Sequence, residues 1–319
     1  MLLYFEDEAL MASRLAAESG LTPVAVVRHR FPDGELKLRL PPQLPERVVL
    51  LRGLQQPNEK LVELLLVARS ARELGARHLT LVTPYLAYMR QDMAFSPGEV
   101  VSQRVIGAFL AELFDAVITV DPHLHRVATL GEAIPIPDPI WISGAPALAD
   151  WIALQRPGAL LLGPDEEAGQ WVSQAAERIG HDSAVCRKVR HGDRAVTVEL
   201  PEVELRSRAV VILDDMASTG HTLAQAARLA LAAGAASVDV AVTHALFVAG
   251  AEQALHEAGV GAVWSTDCVP HASNVVAMAP LLAQALVQAG CCCTGQGRST
   301  ARTGLASQSI SLSGSAISS

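Results

Sequence analysis

The chain alternates short apolar runs with longer segments of helical periodicity, and this alternation restricts its fold more than any other feature. The apolar runs, each closed by polar residues, are RVVLLRG (47–53), HLTLVTPY (78–85), AVITVDPH (116–123), ALLLGPD (159–165), AVVILDD (209–215) and SVDVAVTHALF (237–247). Helical spacing is clear in 59–76 and 221–235, which lie between such runs. Because buried strands that alternate with helices form parallel sheets, the predicted fold is α/β, with mostly parallel sheets flanked by helices.

A weak internal similarity suggests two domains of the same kind, and 319 residues are enough for both. ELGARHLTLVTPY (73–85) is similar to AAGAASVDVAVTHAL (232–246), and AVITVDPH (116–123) is similar to AVVILDDM (209–216). The alternative is a chance similarity between Ala-rich strand–helix units.

The composition places the domain limits. The junction is predicted in the Pro-rich stretch AIPIPDPIWISGAP (133–146), which gives domains at 1–140 and 141–290. From Cys291 onward the chain is rich in Ser, Gly, Thr and Ala without a hydrophobic pattern. The segment 291–319 is therefore predicted to be a disordered tail.

Charge and cysteine content exclude several classes of protein. With 33 acidic against 25 basic residues, a net charge of -8, binding of nucleic acid over a broad surface is not expected. The N-terminal MLLYFEDEALMASRL carries acids where a signal peptide needs bases, and no apolar run reaches the length of a membrane span. Cys186 and Cys268 are single, and three further cysteines are consecutive at 291–293, which favours reduced thiols. A cytoplasmic protein without membrane contact is expected.

The stretch ILDDMASTGHTL (212–223) is the strongest candidate site, because ligands of α/β sheets gather at the carboxyl ends of strands. Hydroxyls, a glycine and free backbone N–H groups at the start of a helix suit a phosphate, whereas carboxylates accept hydrogen bonds from sugar hydroxyls. A phosphorylated sugar satisfies both halves of the stretch. The alternative is an Asx turn that leads into a helix N-cap. The candidate residues are Asp214, Asp215, Ser218, Thr219, Gly220 and Thr222.

These residues resemble the ribose-5-phosphate loop that ribose-phosphate diphosphokinases (phosphoribosyl pyrophosphate synthetases) share with the phosphoribosyltransferases. The resemblance to the diphosphokinase family extends over about residues 1–285 and is greatest to its shorter, archaeal-like branch. It implies two phosphoribosyltransferase-like domains and the transfer of the β,γ-diphosphoryl group of ATP to the 1-hydroxyl of ribose 5-phosphate. The products would be 5-phosphoribosyl 1-diphosphate and AMP.

Two segments resemble the parts of this family that bind ATP. FPDGELKLRL (31–40) resembles the FxDGE segment, which reaches the nucleotide of a neighbouring subunit and so implies a homo-oligomer; a simple Pro-Asp-Gly turn is the alternative. VTPYLAYMRQD (82–92) resembles PYxxYxRQD, whose fork of donors suits a triphosphate. The ATP-binding residues implied are Phe31, Asp33, Glu35, Arg90, Gln91 and Asp92.

Two further segments resemble the family's metal sites. TVDPHLHR (119–126) resembles the DLH segment and makes His123 the matching Mg²⁺ residue, with Asp121 beside it. LLGPDEEAGQWV (161–172) resembles PDxGG and implies that Asp165 binds ribose 5-phosphate and a second metal ion. Glu166 and Glu167 replace small residues there, and their charges would repel a diphosphate unless they bind a cation or turn away.

CRKVRHGDR (186–194) resembles the K-x-R of the family's mobile catalytic loop, with Lys188 and Arg190 in the two positions. Cations that close over a transferring diphosphoryl group stabilise its transition state, so positioning and charge suffice without a strong general base. A solvated basic edge is the alternative for this cluster.

Two rival functions follow from the same residues. A phosphoribosyltransferase would share the loop at 212–223 but would have one domain and neither the RQD nor the K-x-R segment. A non-catalytic regulator of a synthetase would keep the fold with a damaged site, for which Glu166 and Glu167 are the only sign.

Overall fold

The structure is a computed structural model that describes residues 1–124, 127–191 and 195–291, without the side chains of 189–191 and 195–197. Its strands are β1 (Leu2–Tyr4), β2 (Pro23–Ala25), β3 (Val27–Arg30), β4 (Leu36–Arg39), β5 (Arg47–Leu51), β6 (His78–Thr83), β7 (Ala116–Val120), β8 (Ile140–Ile142), β9 (Leu160–Gly163), β10 (Ser183–Val185), β11 (Arg187–His191), β12 (Ala195–Glu199), β13 (Ala209–Ala217), β14 (Ser237–Ala245), β15 (Val260–Thr266) and β16 (Asn274–Val276). Its helices are α1 (Ala9–Ser19), α2 (Pro57–Glu73), α3 (Ser102–Leu113), α4 (Leu130–Ala133), α5 (Ala145–Gln155), α6 (Gly169–Ile179), α7 (His221–Ala232), α8 (Ala251–Glu257) and α9 (Ala279–Gln288), with 3-10 turns at Glu6–Glu8 and Glu166–Ala168. The predicted tail lies outside the described residues beyond Cys291.

Two parallel sheets of six strands form the framework of the described chain. Their orders are β2-β1-β5-β6-β7-β8 and β10-β9-β13-β14-β15-β16, so the two sheets correspond strand by strand. Each sheet is accompanied by an antiparallel hairpin, β3–β4 in the first half and β11–β12 in the second. This arrangement confirms the predicted α/β fold of two similar parallel sheets.

Only one of the two internal similarities joins equivalent strands. β6 and β14 are both fourth in their sheets, so the similarity between 73–85 and 232–246 reflects the repeat. The similarity between 116–123 and 209–216 does not, because β7 is fifth in its sheet and β13 is third. Any buried parallel strand that ends in Asp has nearly the same sequence pattern, whatever its place in the sheet.

Helices cover both faces of each sheet. In the first sheet, α2 and α3 bury Leu64 and Leu110 on one face, and α1 and α9 bury Leu15 and Leu282 on the other. In the second sheet, α5 and α6 pack on one face and α7 and α8 on the other. The helix α9 therefore packs on the first sheet although it follows the second sheet in sequence. No helix in the described parts of the chain combines the length and the apolar character needed to cross a membrane.

The first sheet ends inside the Pro-rich stretch 133–146. β8 (Ile140–Ile142) pairs with β7, and α5, which packs on the second sheet, begins at Ala145. The chain thus changes sheets after Ile142. The boundary between residues 140 and 141 stays a prediction.

A buried ionic cluster fastens the hairpin β3–β4 to α2. Glu63 of α2 is fully buried, and its two carboxylate oxygens lie 2.5 Å from Arg28 Nη1 of β3 and 2.5 Å from Arg52 Nη2. Arg52 is 1% exposed and also pairs with Asp7, at 2.7 Å. Two guanidinium groups thus share one carboxylate at the base of the hairpin.

Candidate active site

The acid pair and the loop after it lie at the carboxyl end of β13. Asp215 is buried and Asp214 is half-buried, and Asp214 Oδ1 accepts a hydrogen bond from the Asp215 N–H at 3.0 Å. Gly220 turns the chain into α7 with a φ of 71°, a left-handed conformation that favours glycine. The first N–H groups of a helix have no acceptor within the helix, so the start of α7 offers donors to an anion.

A cavity of about 200 Å³ opens above this loop, and both halves of the chain contribute to it. Ten predicted site residues line it, namely Arg90, His123, Asp165, Lys188, Asp214, Asp215, Ser218, Thr219, Gly220 and Thr222. Five lining residues were not predicted as part of a site, namely Glu167, Met216, Ala217, His221 and Leu223. Arg90 and His123 follow strands of the first sheet, whereas the rest belong to the second half.

A direct contact joins the two halves across the cavity. His123, which follows β7, places its Nδ1 atom 2.7 Å from Asp215 Oδ2 at the end of β13. Asp215 is 3% exposed, so this contact is shielded from water. The pair fixes the distance between the two strand ends that carry the predicted metal and sugar residues.

Lys188 enters the cavity from the hairpin β11–β12 and forms an ion pair with Asp165. Burial lowers the pKa of Lys188, but the hydrogen bond to Asp165 and the charges of Asp165, Glu167 and Asp214 outweigh burial and raise it. Lys188 is therefore a fixed positive charge at neutral pH and not a base.

The two unusual glutamates behave differently. Glu166 turns to the hairpin, where its Oε2 atom accepts the backbone N–H of Lys188 at 3.2 Å. Glu167 lines the cavity, and its backbone N–H donates to Asp165 Oδ1 at 3.0 Å. One of the two additional charges is thus directed away from the cavity and the other faces it.

The carboxylates of the cavity fit a hard divalent cation. Burial, followed by the charges of Asp215 and Asp165, raises the pKa of Asp214 well above its usual value. A bound cation relieves the repulsion between these carboxylates, and Mg²⁺ is such a cation because it prefers oxygen ligands. Within the described ranges, no three His, Cys, Asp or Glu side chains form a ready metal-binding cluster. In proteins, Mg²⁺ commonly takes several of its ligands from substrate phosphates and water.

We predict that Asp214→Asn stabilises the protein at neutral pH while it weakens binding of a sugar phosphate. Because folded Asp214 has a raised pKa, the stability from its protonated form is present below the unfolded pKa of about 3.8 and is lost as pH rises through the folded pKa. The amide removes this ionisation and keeps an acceptor for the Asp215 N–H. A gain on the order of 1 kcal/mol, or about 2–4 °C in Tm, is expected by calorimetry at pH 7.

The exposed Glu202→Gln supplies the control, since it removes the same charge from the loop before β13, whereas Asp214 lies toward the carboxyl end of that strand. An equal rise in Tm for Glu202→Gln, or no rise for Asp214→Asn, would contradict the argument from crowding.

The other predicted ATP residues do not line this cavity. Gln91 Nε2 donates to the Met93 carbonyl at 3.0 Å, and Asp92 is buried. Phe31, Asp33 and Glu35 lie in the turn between β3 and β4, where Phe31 is 40% exposed.

The turn itself is locally stabilised. Asp33 Oδ1 accepts the Glu35 N–H at 3.1 Å, which is the hydrogen bond of an Asx turn. The local structure thus satisfies the turn alternative, and an ATP-binding role for these three residues stays a prediction. The side chain of Arg190 lies outside the described part of the chain.

Sequence reasoning missed a set of contacts just below the cavity. Thr243 and His244 lie near the end of β14 and contact Asp121 and Val120 at the end of β7, although neither was singled out as a site residue. The signal was present, because SVDVAVTHALF (237–247) is an apolar run closed by polar residues, like the other strands that supply the cavity.

Comparison with sequence profiles of known domains identifies both halves of the chain. The profile of the N-terminal domain of ribose phosphate pyrophosphokinase matches residues 1–113. The profile of the phosphoribosyl transferase domain matches residues 147–269.

Related proteins of similar length share about a third of the sequence. The ribose-phosphate pyrophosphokinase of Methanopyrus kandleri is 35% identical over 86% of this chain and 94% of its own length. That of Halobacterium salinarum is 34% identical over 90% of this chain and 100% of its own. The crystal structure of phosphoribosylpyrophosphate synthetase from Mycobacterium smegmatis superposes with a TM-score of 0.78 at 23% identity, over 91% of this chain and 98% of that one, and so shares the fold. The chain belongs to the ribose-phosphate pyrophosphokinase family.

Proposed function

We propose that the protein transfers the β,γ-diphosphoryl group of ATP to the 1-hydroxyl of ribose 5-phosphate. The observation that carries this proposal is one cavity lined by the acid pair and anion loop of the second half and by Arg90 and His123 of the first. A reaction between a sugar phosphate and a nucleotide requires binding groups for both substrates in one cavity. The contribution of the first sheet favours this reaction over that of a single-domain phosphoribosyltransferase.

The sugar phosphate would occupy the loop at the start of α7. Asp214 and Asp215 accept hydrogen bonds from the ribose hydroxyls. The hydroxyls of Ser218, Thr219 and Thr222, with the N–H groups after Gly220, hold the 5-phosphate at the positive end of the helix.

The nucleotide would lie on the side of the first sheet, against Arg90, with Gln91 and Asp92 in the same loop. His123 and Asp165 would hold Mg²⁺, which when bound neutralises part of the triphosphate charge. Phe31, Asp33 and Glu35, whose turn lies outside the cavity of their own chain, would complete the adenine site of a neighbouring subunit, as the resemblance of their segment implies. This assignment makes the protein a homo-oligomer.

The reaction requires an in-line displacement at the β-phosphorus. The 1-hydroxyl oxygen forms a bond to the β-phosphorus, the bond to the oxygen bridging the α- and β-phosphorus breaks, AMP leaves, and the hydroxyl proton passes to water. Negative charge grows on the transferring group and on the leaving oxygen, and the protonated Lys188, with Arg190, stabilises it.

A coupled assay tests the proposed function. Purified protein with ATP, ribose 5-phosphate and Mg²⁺ is expected to release AMP, with the sugar diphosphate identified by ³¹P NMR. Binding of ribose 5-phosphate without AMP would favour a regulator. Consumption of the sugar diphosphate with a nucleobase, without AMP release from ATP, would favour a phosphoribosyltransferase.

Mixing two impaired variants tests the shared adenine site. Phe31→Ala would damage the nucleotide site of the neighbour, whereas Lys188→Ala would damage the site of its own chain. We expect that subunits of the two variants, dissociated and reassociated together, recover part of the activity. Absence of recovery in verified mixed oligomers would place Phe31 in the site of its own chain or outside any site.

A further inference from the structure

Asp121 binds both halves of the chain beneath the cavity. Its Oδ2 atom accepts a hydrogen bond from Thr243 Oγ1 at 2.7 Å and another from the Gly144 N–H at 2.8 Å. Thr243 belongs to β14 of the second sheet, whereas Asp121 directly follows β7 of the first. Asp121 and Thr243 are each 1% exposed, so water does not compete for these bonds.

The next residue of β14 repeats the connection through the backbone. His244 Nε2 lies 3.0 Å from the Val120 carbonyl and 3.3 Å from the Asp121 carbonyl. Burial lowers the pKa of His244, so the neutral ring carries its proton on Nε2 and donates it to these carbonyls. Thr243 and His244, which are consecutive in β14, thus hold Val120 and Asp121 at the end of β7.

The packing around Asp121 leaves little freedom. A Cβ atom on Gly144 would lie 3.0 Å from Thr243 Oγ1 and 3.3 Å from Asp121 Oδ2, both closer than ordinary contacts. Asp121 itself has a φ of 34°, in the left-handed region that residues other than glycine rarely occupy. Such a conformation persists where the surroundings determine it, and the bonds from Thr243 and Gly144 do so here.

We propose that Asp121 is a positioning residue that fixes His123 against Asp215, and not a ligand of the cation or of a substrate. Asp121 does not line the cavity: its Oδ2 atom already accepts two protein donors, and its buried Oδ1 atom lies by the Trp171 side chain. Two residues further along, His123 Nδ1 reaches Asp215 Oδ2 at 2.7 Å. Thr243 thereby sets the geometry of the cavity without entering it. This role rests on the proposed function, since the cavity is the site of that reaction.

Variants of Thr243 test the connection. Thr243→Val removes the hydroxyl at nearly constant shape, and Thr243→Ser keeps it. We expect kcat for AMP formation to fall about 10-fold or more in Thr243→Val, because small misplacements of reacting groups slow a reaction by such factors. The KM for ribose 5-phosphate should be unchanged. Thr243→Ser should restore the rate. Equal losses in both variants, or a changed KM with an unchanged kcat, would overturn the proposal.

Asp121→Asn separates positioning from metal binding. The amide oxygen can still accept from Thr243 and Gly144, but the amide nitrogen takes the place of Oδ1 beside Trp171, so the readout is the Mg²⁺ concentration at half-maximal rate, which we expect to be unchanged, and not kcat. A large increase in that Mg²⁺ concentration for Asp121→Asn would show a ligand and overturn the proposal. This variant keeps the acceptor and so remains informative if Thr243→Val fails to fold.

A spectroscopic measurement makes the outcome independent of turnover. In ¹⁵N-histidine NMR of the full chain, the His123 Nδ1 resonance, assigned with His123→Gln, should report the bond to Asp215. We expect it to shift in Thr243→Val and to stay in place in Thr243→Ser. An unshifted resonance in folded Thr243→Val would overturn the positioning role. Absence of AMP from the wild type with this pattern intact would instead refute the proposed function.

Discussion

Lys188→Ala is expected to lower kcat by about 10²–10³-fold, the loss typical of removing one preorganised group from a developing negative charge. Lys188 lines the cavity from the hairpin β11–β12, and Asp165 keeps it charged and directed inward. Its contribution arises mainly in the transition state, so the affinity for ribose 5-phosphate should change little. Initial rates of AMP formation and calorimetric titration of ribose 5-phosphate measure the two effects separately.

Arg187→Ala is the matched control for this prediction. Arg187 is the exposed neighbour of Lys188 on β11, and successive residues of a strand point to opposite faces. Its removal takes one positive charge from the same strand and should leave kcat nearly unchanged. A full rate in Lys188→Ala, or a loss of sugar-phosphate affinity with kcat intact, would reduce Lys188 to a structural partner of Asp165.

Glu63→Gln is expected to destabilise the fold by about 3–5 kcal/mol, the usual effect of removing one partner from a buried ion pair. The carboxylate of Glu63 is fully buried and holds both Arg28 and the buried Arg52. The amide nearly preserves the volume but loses the negative charge, and Arg52 keeps only its remaining pairs with Asp7 and Glu8. Urea denaturation should show a lower midpoint with an unchanged slope.

Glu59→Gln provides the comparison on the same helix. Glu59 lies one helical turn before Glu63 and pairs with Arg30, a side chain that is 55% exposed. Because exposed ion pairs contribute little, this variant should unfold at nearly the urea concentration of the wild type. Similar losses in both variants would mean that burial of Glu63 adds nothing to the strength of its two ion pairs.

The fold and most of the cavity could be predicted because parallel strands align their carboxyl ends. Residues that close apolar runs far apart in sequence, such as Asp165 and Asp215 after β9 and β13, are then forced to one edge of the second sheet, and His123 lies in the same way at the corresponding edge of the first. The loop before α7 needed no long-range information, since its glycine, hydroxyls and helix start are contiguous. The resemblance to a known family assigned these groups to their substrates.

Other features depend on packing that no local pattern encodes. Apolar periodicity shows that α9 buries one face but not that the face meets Leu15 of α1 instead of the second sheet. The bond from Thr243 to Asp121 requires the carboxyl end of β14 to approach the carboxyl end of β7 in the other sheet, which neither strand reveals alone. The turn at Phe31 is predictable as a turn, but the proposed role in a site shared by two chains depends on a second chain, which the turn of one does not reveal.

The position of α9 has a consequence for how the protein is made. Met278, Leu282 and Leu286 complete the same buried cluster as Leu2 and Ile118, which the ribosome releases much earlier. At about 5–20 residues per second, synthesis of the second half leaves that apolar face uncovered for a time on the order of 10 s. The first sheet therefore matures only after the second has been translated, and chaperones that bind apolar surfaces have that interval in which to act. Ending translation before α9 would leave the N-terminal half as the aggregation-prone part of the chain.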